Sequence, residues 1–253
     1  MTQPGFRWDP AARVALGDAL ARLGPNRCAV EVTADEVVLA EPPARRDRAG
    51  NSALLECGAA LSTVWTVLRV LGRDPVLVFP RNPDRPDVAV VVRGGGPRSP
   101  SNAEWTRYLA LRRLTEPARG TVLRPVSLAV LTALAGEDFW PDTDVRIVRP
   151  AWASTLKRLG ADLAGRSSLL VTTPGDTRRH HVLAGAALHA TRLAAAARGL
   201  GSERVPLISL ATVERARHTQ VLPGVPQGLL LVGLASRRPT GPPGTWRHAS
   251  QAG

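Results

Sequence analysis

The run from Ala184 to Leu200, AGAALHATRLAAAARGL, constrains this chain more than any other stretch. Alanine and leucine have the strongest helix propensities, and Gly199 supplies a stop, so the run is a helix by composition. Val182, Leu183, Ala186, Ala187, Ala190, Leu193, Ala194 and Ala197 recur at steps of three and four and form one broad apolar face. His181, His189 and Arg192 fall on the other side, where surface positions are expected. Side chains this small let another backbone, or a flat ligand, come close.

The run has an earlier echo. Cys57-Gly58-Ala59-Ala60-Leu61 matches Ala184-Gly185-Ala186-Ala187-Leu188. Each is followed by about three helical turns, then by Leu-Gly, then by proline and a β-rich run (Pro75 to Val78; Pro206 to Ile208). A repeat of this kind predicts two related halves, against the alternative of chance likeness between two alanine-rich helices. Gly94-Gly95-Gly96-Pro97-Arg98-Ser99-Pro100 reads as a flexible connector and the boundary between halves. The division is then 1–100, 101–236 and a Pro/Gly-rich tail over 237–253.

The remaining elements follow from periodicity and punctuation. Pro10 to Leu23 is a helix ended by Gly24-Pro25. Cys28 to Val32 and Glu36 to Ala40 are strands joined by a tight turn. Ser52 to Leu71 is a helix apolar nearly all round. Strands follow at Pro75 to Phe79 and Asp87 to Arg93. Glu104 to Leu114 is helical and Thr115 to Arg124 irregular. Pro125-Val126-Ser127 opens a helix through Ala135, with Ser127 as N-cap. Strands are expected at Asp144 to Arg149, Ser168 to Thr173 and Gly228 to Leu234, with helices at Ala151 to Leu159 and Glu214 to Gln220.

A chain of 253 residues with 44% hydrophobic content can bury a proper core. Its net charge of +12 is almost all arginine, Lys157 being the lone lysine. The arginines are scattered, with no basic stripe and no helix-turn-helix reading, which argues against a nucleic-acid surface. Compositional bias explains the excess better. Cys28 and Cys57 make no disulfide framework, and Cys57 reads as a small buried hydrophobe. Without a secretory signal or a convincing membrane span, the expected setting is the cytoplasm, with no membrane partner.

Few patterns carry chemistry by themselves. Gly160 to Ser167 is a near-miss of a phosphate-binding loop, with Arg166 where lysine is required and with helix and strand in the wrong order. His180, His181 and His189 lack metal-ligand spacing, so no metal site is expected. Asp142 and Asp144 are ordinary turn residues. Arg112-Arg113-Leu114-Thr115 could grip a phosphate at a helix end, and Arg237-Arg238 after the last apolar strand could add a second clamp; two solvated arginine pairs are the plainer alternative.

Taken in order, these stretches resemble the nitroreductase superfamily of flavoproteins, and within it the actinobacterial Acg-type branch, described as FMN-binding. Arg45-Arg46-Asp47 and Leu54 to Leu61 are similar to that branch's arginine-rich loop and Ser-Cys-Gly-Ala-Ala-Leu helix. Arg112 to Thr115 and then Arg124-Pro125-Val126 resemble its Arg-Arg-x-Thr-x-Arg segment. Thr173-Pro174-Gly175-Asp176, the Ala184 to Leu188 helix, and Pro226-Gln227 with Leu229 to Gly233 resemble further motifs of the same series.

The resemblance implies an α+β nitroreductase-like fold around a mixed or antiparallel sheet, with two halves in one chain mimicking the two-subunit dimer. It implies FMN as cofactor and NAD(P)H as hydride donor. The substrate would be a flat electron-poor small molecule or a natural-product intermediate. Arg112, Arg113, Thr115, Arg237 and Arg238 would hold the flavin phosphate, and Leu207, Ile208 and Ser209 would lie by the flavin ring. No side chain is assigned a catalytic role, since the chemistry belongs to the cofactor.

Four departures weaken FMN binding and weaken catalysis more. Pro117 replaces a basic residue of the phosphate pattern, the branch's Asn-x-Gln-Pro-Trp element is absent, the segment between Ala135 and Ser168 is short for a flavin-covering lid, and with Tyr108 the one tyrosine and aromatic content of 4% few rings are left to stack on a substrate. The competing expectation is therefore a degenerate relative that binds or stores flavin, or serves as a partner subunit. A homodimer or a related protein partner is compatible with either.

Overall fold

The structure, a computed structural model, describes residues 6–24, 27–42, 52–114, 121–158, 161, 163, 165–205, 207 and 222–237, with backbone alone at Arg158 and Arg237. It is α+β, built on two antiparallel sheets. The first begins after helix α1 (Pro10–Ala21), which Asp9 caps by accepting from the Ala12 amide at 2.8 Å. Strands β1 (Ala29–Val32) and β2 (Glu36–Ala40) form a hairpin, and helix α2 (Ser52–Val70) follows. Strands β3 (Arg73–Val78) and β4 (Val88–Pro97) complete the order β1-β2-β4-β3.

Here the glycine run departs from expectation. Gly94 to Pro97 continue β4 instead of forming a connector. A Cβ at Gly94 would lie 2.5 Å from the Phe6 ring, and one at Gly95 would lie 2.7 Å from the Asp74 carbonyl oxygen. These glycines permit close approach to neighbours; their freedom is not used to make a linker.

Helix α3 (Asn102–Arg113) starts on a capping box between Ser101 and Glu104. Strand β5 (Thr121–Arg124) stands where an irregular segment is expected, because it finds a partner far along the chain that no local pattern reveals. Then come α4 (Leu128–Ala135, capped by Ser127), β6 (Asp144–Ile147), a 3₁₀ turn at Pro150–Trp152 leading into α5 (Ala153–Arg158), and β7 (Ser168–Thr173). Helix α6 (Arg178–Ala197), β8 (Gly201–Val205) and β9 (Val225–Arg237) close the series, with Gly199 at φ +73° turning the chain after α6. The helix expected over Glu214 to Gln220 lies outside the described residues.

Strand β9 pairs with β7, β8 and β5. The path β6-β7-β9-β8 has the same order as β1-β2-β4-β3, every pairing is antiparallel, and in each set a long helix follows the second strand.

Those two helices, α2 and α6, cross in contact at the echoed glycines. A Cβ at Gly58 would lie 2.1 Å from the Val182 carbonyl oxygen, and one at Gly185 would lie 2.1 Å from the Leu55 carbonyl oxygen. One hydrophobic core runs through the crossing and takes in α1, α3, both sheets and the Trp140 ring. Helix α2 is long and apolar enough to cross a membrane, but most of it is buried inside this fold.

The α6 histidines are not on the surface. His181 is 4% exposed and His189 is 3% exposed. An apolar stripe identifies an outer face only when the other side meets solvent, and α6 is covered by α2 on one side and by its own sheet on the other. Neither ring nitrogen of His189 has a hydrogen-bond partner among the described residues. Burial pushes its pKa down to about 3, helped by the nearby Arg192 charge, so the ring is neutral at pH 7.

Candidate functional site

A cleft of about 540 Å³ opens where the C-terminal ends of α3 and α6 approach the start of β5. Arg113, Leu109 and Leu114 line one side, Ala197 and Gly201 another, and Thr121 and Ala235 the floor. Arg113 stands in the last turn of α3, exposed. No carboxylate among the described residues pairs with it, whereas Arg69, Arg85, Arg93, Arg107 and Arg204 each hold one. A guanidinium with spare donors at the mouth of a cleft is suited to an oxyanion.

The other expected site residues divide. Thr121, in the cleft lining, pairs with Arg237 across β5 and β9, and Ala235 of β9 also lines the cleft. Arg112 is exposed and does not line the cleft. Leu207 packs with a separate cluster around Trp152, Leu156 and Leu229 and also does not line it. Thr115, Ile208, Ser209, Arg238, Arg45-Arg46 and Pro117 lie outside the described residues. The residues present therefore fit the phosphate end of a flavin mononucleotide. They leave its ring end undefined.

The remaining resemblance motifs form a buried polar knot at the N-terminus of α6. His181 Nδ1 meets Gln227 Oε1 at 2.7 Å, and its Nε2 lies 3.2 Å from Asp176 Oδ1. Gln227 Nε2 donates to Thr173 Oγ1 at 2.9 Å and to the Gly175 carbonyl at 3.3 Å. The knot ties the ends of β7 and α6 to β9. Gln227→Leu is expected to cost about 2–4 kcal/mol, since it removes partners from buried polar groups. Urea unfolding checks this, and a loss below about 1 kcal/mol would mean that the knot is not closed as described.

Sequence reasoning missed a second cleft of about 460 Å³ between α2, α3 and α6. Its wall carries Trp65 and Phe139, with ring centroids 5.8 Å apart, and Trp140 stacks behind Phe139 at 5.1 Å. Its cations are paired, Arg69 with Glu104 at 2.7 Å, Arg107 with Glu137 at 3.2 Å and Arg98 with Asp74 at 3.2 Å, while Asp138 accepts from the Thr143 hydroxyl at 2.9 Å. What is left is a mostly apolar slot for a flat molecule. No local pattern links Trp65 to Phe139, because they belong to distant segments.

The thiols offer no nucleophile at Cys57. Its hydrogen bond with Cys28, then burial, push its pKa far up. The near-miss phosphate loop also fails in detail. The Ser167 hydroxyl accepts from the Val126 amide at 3.0 Å, so it braces a neighbouring segment.

No protein-family model matches the sequence, and no curated protein matches it. Among solved structures, it is similar to a "putative nitroreductase" from Anabaena variabilis ATCC 29413, with 12% sequence identity and a TM-score of 0.56 over 80% of this chain and 69% of that one. At that identity the likeness concerns the path of the backbone. Together with the two antiparallel sheets and their crossed central helices, it establishes that this chain has an α+β nitroreductase-like fold.

Proposed function

We propose that this protein is an FMN-dependent oxidoreductase of the nitroreductase type, related to the Acg-type branch. In this reading one chain, with halves 1–100 and 101–236, does the work of a two-subunit dimer. The cleft at the end of α3 supports the proposal, because Arg113 has no carboxylate partner there among the described residues and Thr121 of the lining is the strand partner of Arg237. Bound FMN would supply the redox chemistry. Arg113 would hold its phosphate, joined by Arg112, Thr115, Arg237 and Arg238 from the adjoining segments, and Leu207 to Ser209 would border the ring. NAD(P)H would be the donor and a flat electron-poor small molecule the acceptor. The setting would be the cytoplasm.

Visible spectroscopy on the purified protein, with FMN and then NAD(P)H added, tests this. Flavin binding that raises the melting temperature, followed by bleaching on NAD(P)H, is the expected result. Arg113→Ala should weaken FMN binding by about tenfold or more, the loss of one charge-assisted contact. A protein that gains no stability from excess FMN would overturn the reading. The second reading, a degenerate flavin-binding or partner subunit, is favoured by the missing Asn-x-Gln-Pro-Trp element and by the position of Leu207 away from the cleft. It predicts FMN binding without bleaching.

A further inference from the structure

The aromatic cleft holds one charge that its neighbours do not balance. It opens between α2 and α6, about one to three helical turns beyond their contact at Gly58 and Gly185. The three arginines in its lining all hold carboxylates, which engages Glu104 and Glu137. Asp138 lines it as well, and no cation among the described residues pairs with it. The donors to its carboxylate are neutral: the Thr143 hydroxyl at 2.9 Å and the Trp140 amide at 3.2 Å. Burial raises its pKa, and the nearby Asp144 charge adds to the rise. A cation beside this carboxylate would relieve that penalty.

The inner wall supplies a second unused group. Ser62 lines the cleft and is 2% exposed. The neighbouring Thr63 and Thr66 hydroxyls donate to carbonyls one turn earlier, at 3.1 and 2.8 Å. The Ser62 hydroxyl makes no such bond and has no hydrogen-bond partner among the described residues, so it is free to donate or accept. Trp65, Phe139, Ala190 and Leu193 make up the apolar part of the wall. The volume of about 460 Å³ falls within the range of small-molecule sites.

We infer that this cleft binds a flat aromatic amine that carries a positive charge at neutral pH, its N–H groups on Asp138 and Ser62 and its ring system against Trp65 and Leu193. The inference is independent of the flavin reading, which uses the cleft at Arg113.

Fluorescence titration of the full chain with proflavine, a flat cationic amine, tests this. The net charge of +12 repels a cation and attracts an anion. Non-specific attraction therefore favours the comparison probe, anthracenecarboxylate, a flat anion of similar size. Saturable one-site binding of proflavine is expected, with anthracenecarboxylate about tenfold weaker or more. Asp138→Asn keeps an acceptor for the turn at Trp140 but removes the charge, and should weaken proflavine about tenfold. Phe139→Ala, at a half-exposed ring, should weaken it severalfold. Absence of saturable binding below millimolar proflavine would overturn the inference, as would equal affinity for the anion or an affinity that Asp138→Asn leaves unchanged. Competitive displacement of proflavine by FMN would also overturn it, by assigning this cleft to the flavin ring.

Discussion

Alanine at Gly58 or at Gly185 is expected to abolish the native fold. The added methyl group would sit 2.1 Å from a main-chain carbonyl oxygen of the facing helix in either case, and 2.7 Å from further backbone atoms. A side chain could rotate away, but a helix backbone cannot. Relief requires α2 and α6 to separate along the contact that joins the two sheets, which opens the core around Leu61, Val64, Leu183 and Ala186. Overpacking usually costs about 1–3 kcal/mol where side chains can adjust. Here the whole interface must move, so a loss above about 5 kcal/mol is expected, comparable to the total stability of many domains. Far-UV circular dichroism and urea unfolding give the readout. Gly17→Ala is the internal comparison. Nothing lies within 4 Å of a Cβ there, in the middle of α1, and that substitution should stabilise by up to about 1 kcal/mol. A folded, stable Gly58→Ala variant would refute the close crossing.

The second large effect is at Glu104. Its carboxylate serves two partners: Arg69 Nε at 2.7 Å and Nη2 at 3.3 Å, and the Ser101 amide at 2.6 Å at the start of α3. Arg69 is buried, with 2% of its side chain exposed. Burial by itself would raise the Glu104 pKa, but Arg69 and the Ser101 donors outweigh it and hold the carboxyl at about 2. Glu104→Ala should cost about 3–5 kcal/mol, because it leaves a buried guanidinium without its main counter-charge and removes the capping box. Glu104→Gln keeps a capping acceptor and should lose less.

The sign of the pH dependence follows from the same shift. A depressed carboxylate pKa gives stability that is complete above about 4.5, the unfolded value, and is lost as pH falls toward 2. His189 adds a separate loss at higher pH. Its folded pKa is also depressed, so the unfolded chain takes up the proton first and stability declines as pH falls from about 6.5 toward 3. Melting curves of the parent and Glu104→Gln should therefore differ at pH 6 and converge near pH 2. Parallel curves across that range would refute the role given to the pair.

Much of the architecture was legible in the residues. The helices over Pro10 to Leu23 and Ser52 to Leu71, the cap at Ser127 and the strands at Glu36 to Ala40 and Ser168 to Thr173 follow from period, propensity and punctuation, all of which act within a few residues. The glycine run at Gly94 misled because glycine signals flexibility locally and close approach only when a neighbour such as Phe6 is in place. Strand β5 was hidden because its pairing with Leu234 to Arg237 spans more than a hundred residues. Of the expected site residues that are described, Arg113 is the one in the lining of a cleft. Which arginines hold carboxylates, and which line clefts without one, depends on neighbours brought from distant segments.

The sequence by itself determined where most helices and strands form, that α2 and α6 carry matching small-residue faces, and that the chain has a core to bury. Tertiary structure alone decided that these faces meet each other, that His181 and His189 lie inside, and that Arg113 lines a cleft with no carboxylate partner among the described residues. The physical reason is range. Backbone propensity and hydrophobic period are encoded by neighbours in the chain, whereas burial, counter-charge and close helix contact depend on neighbours in space.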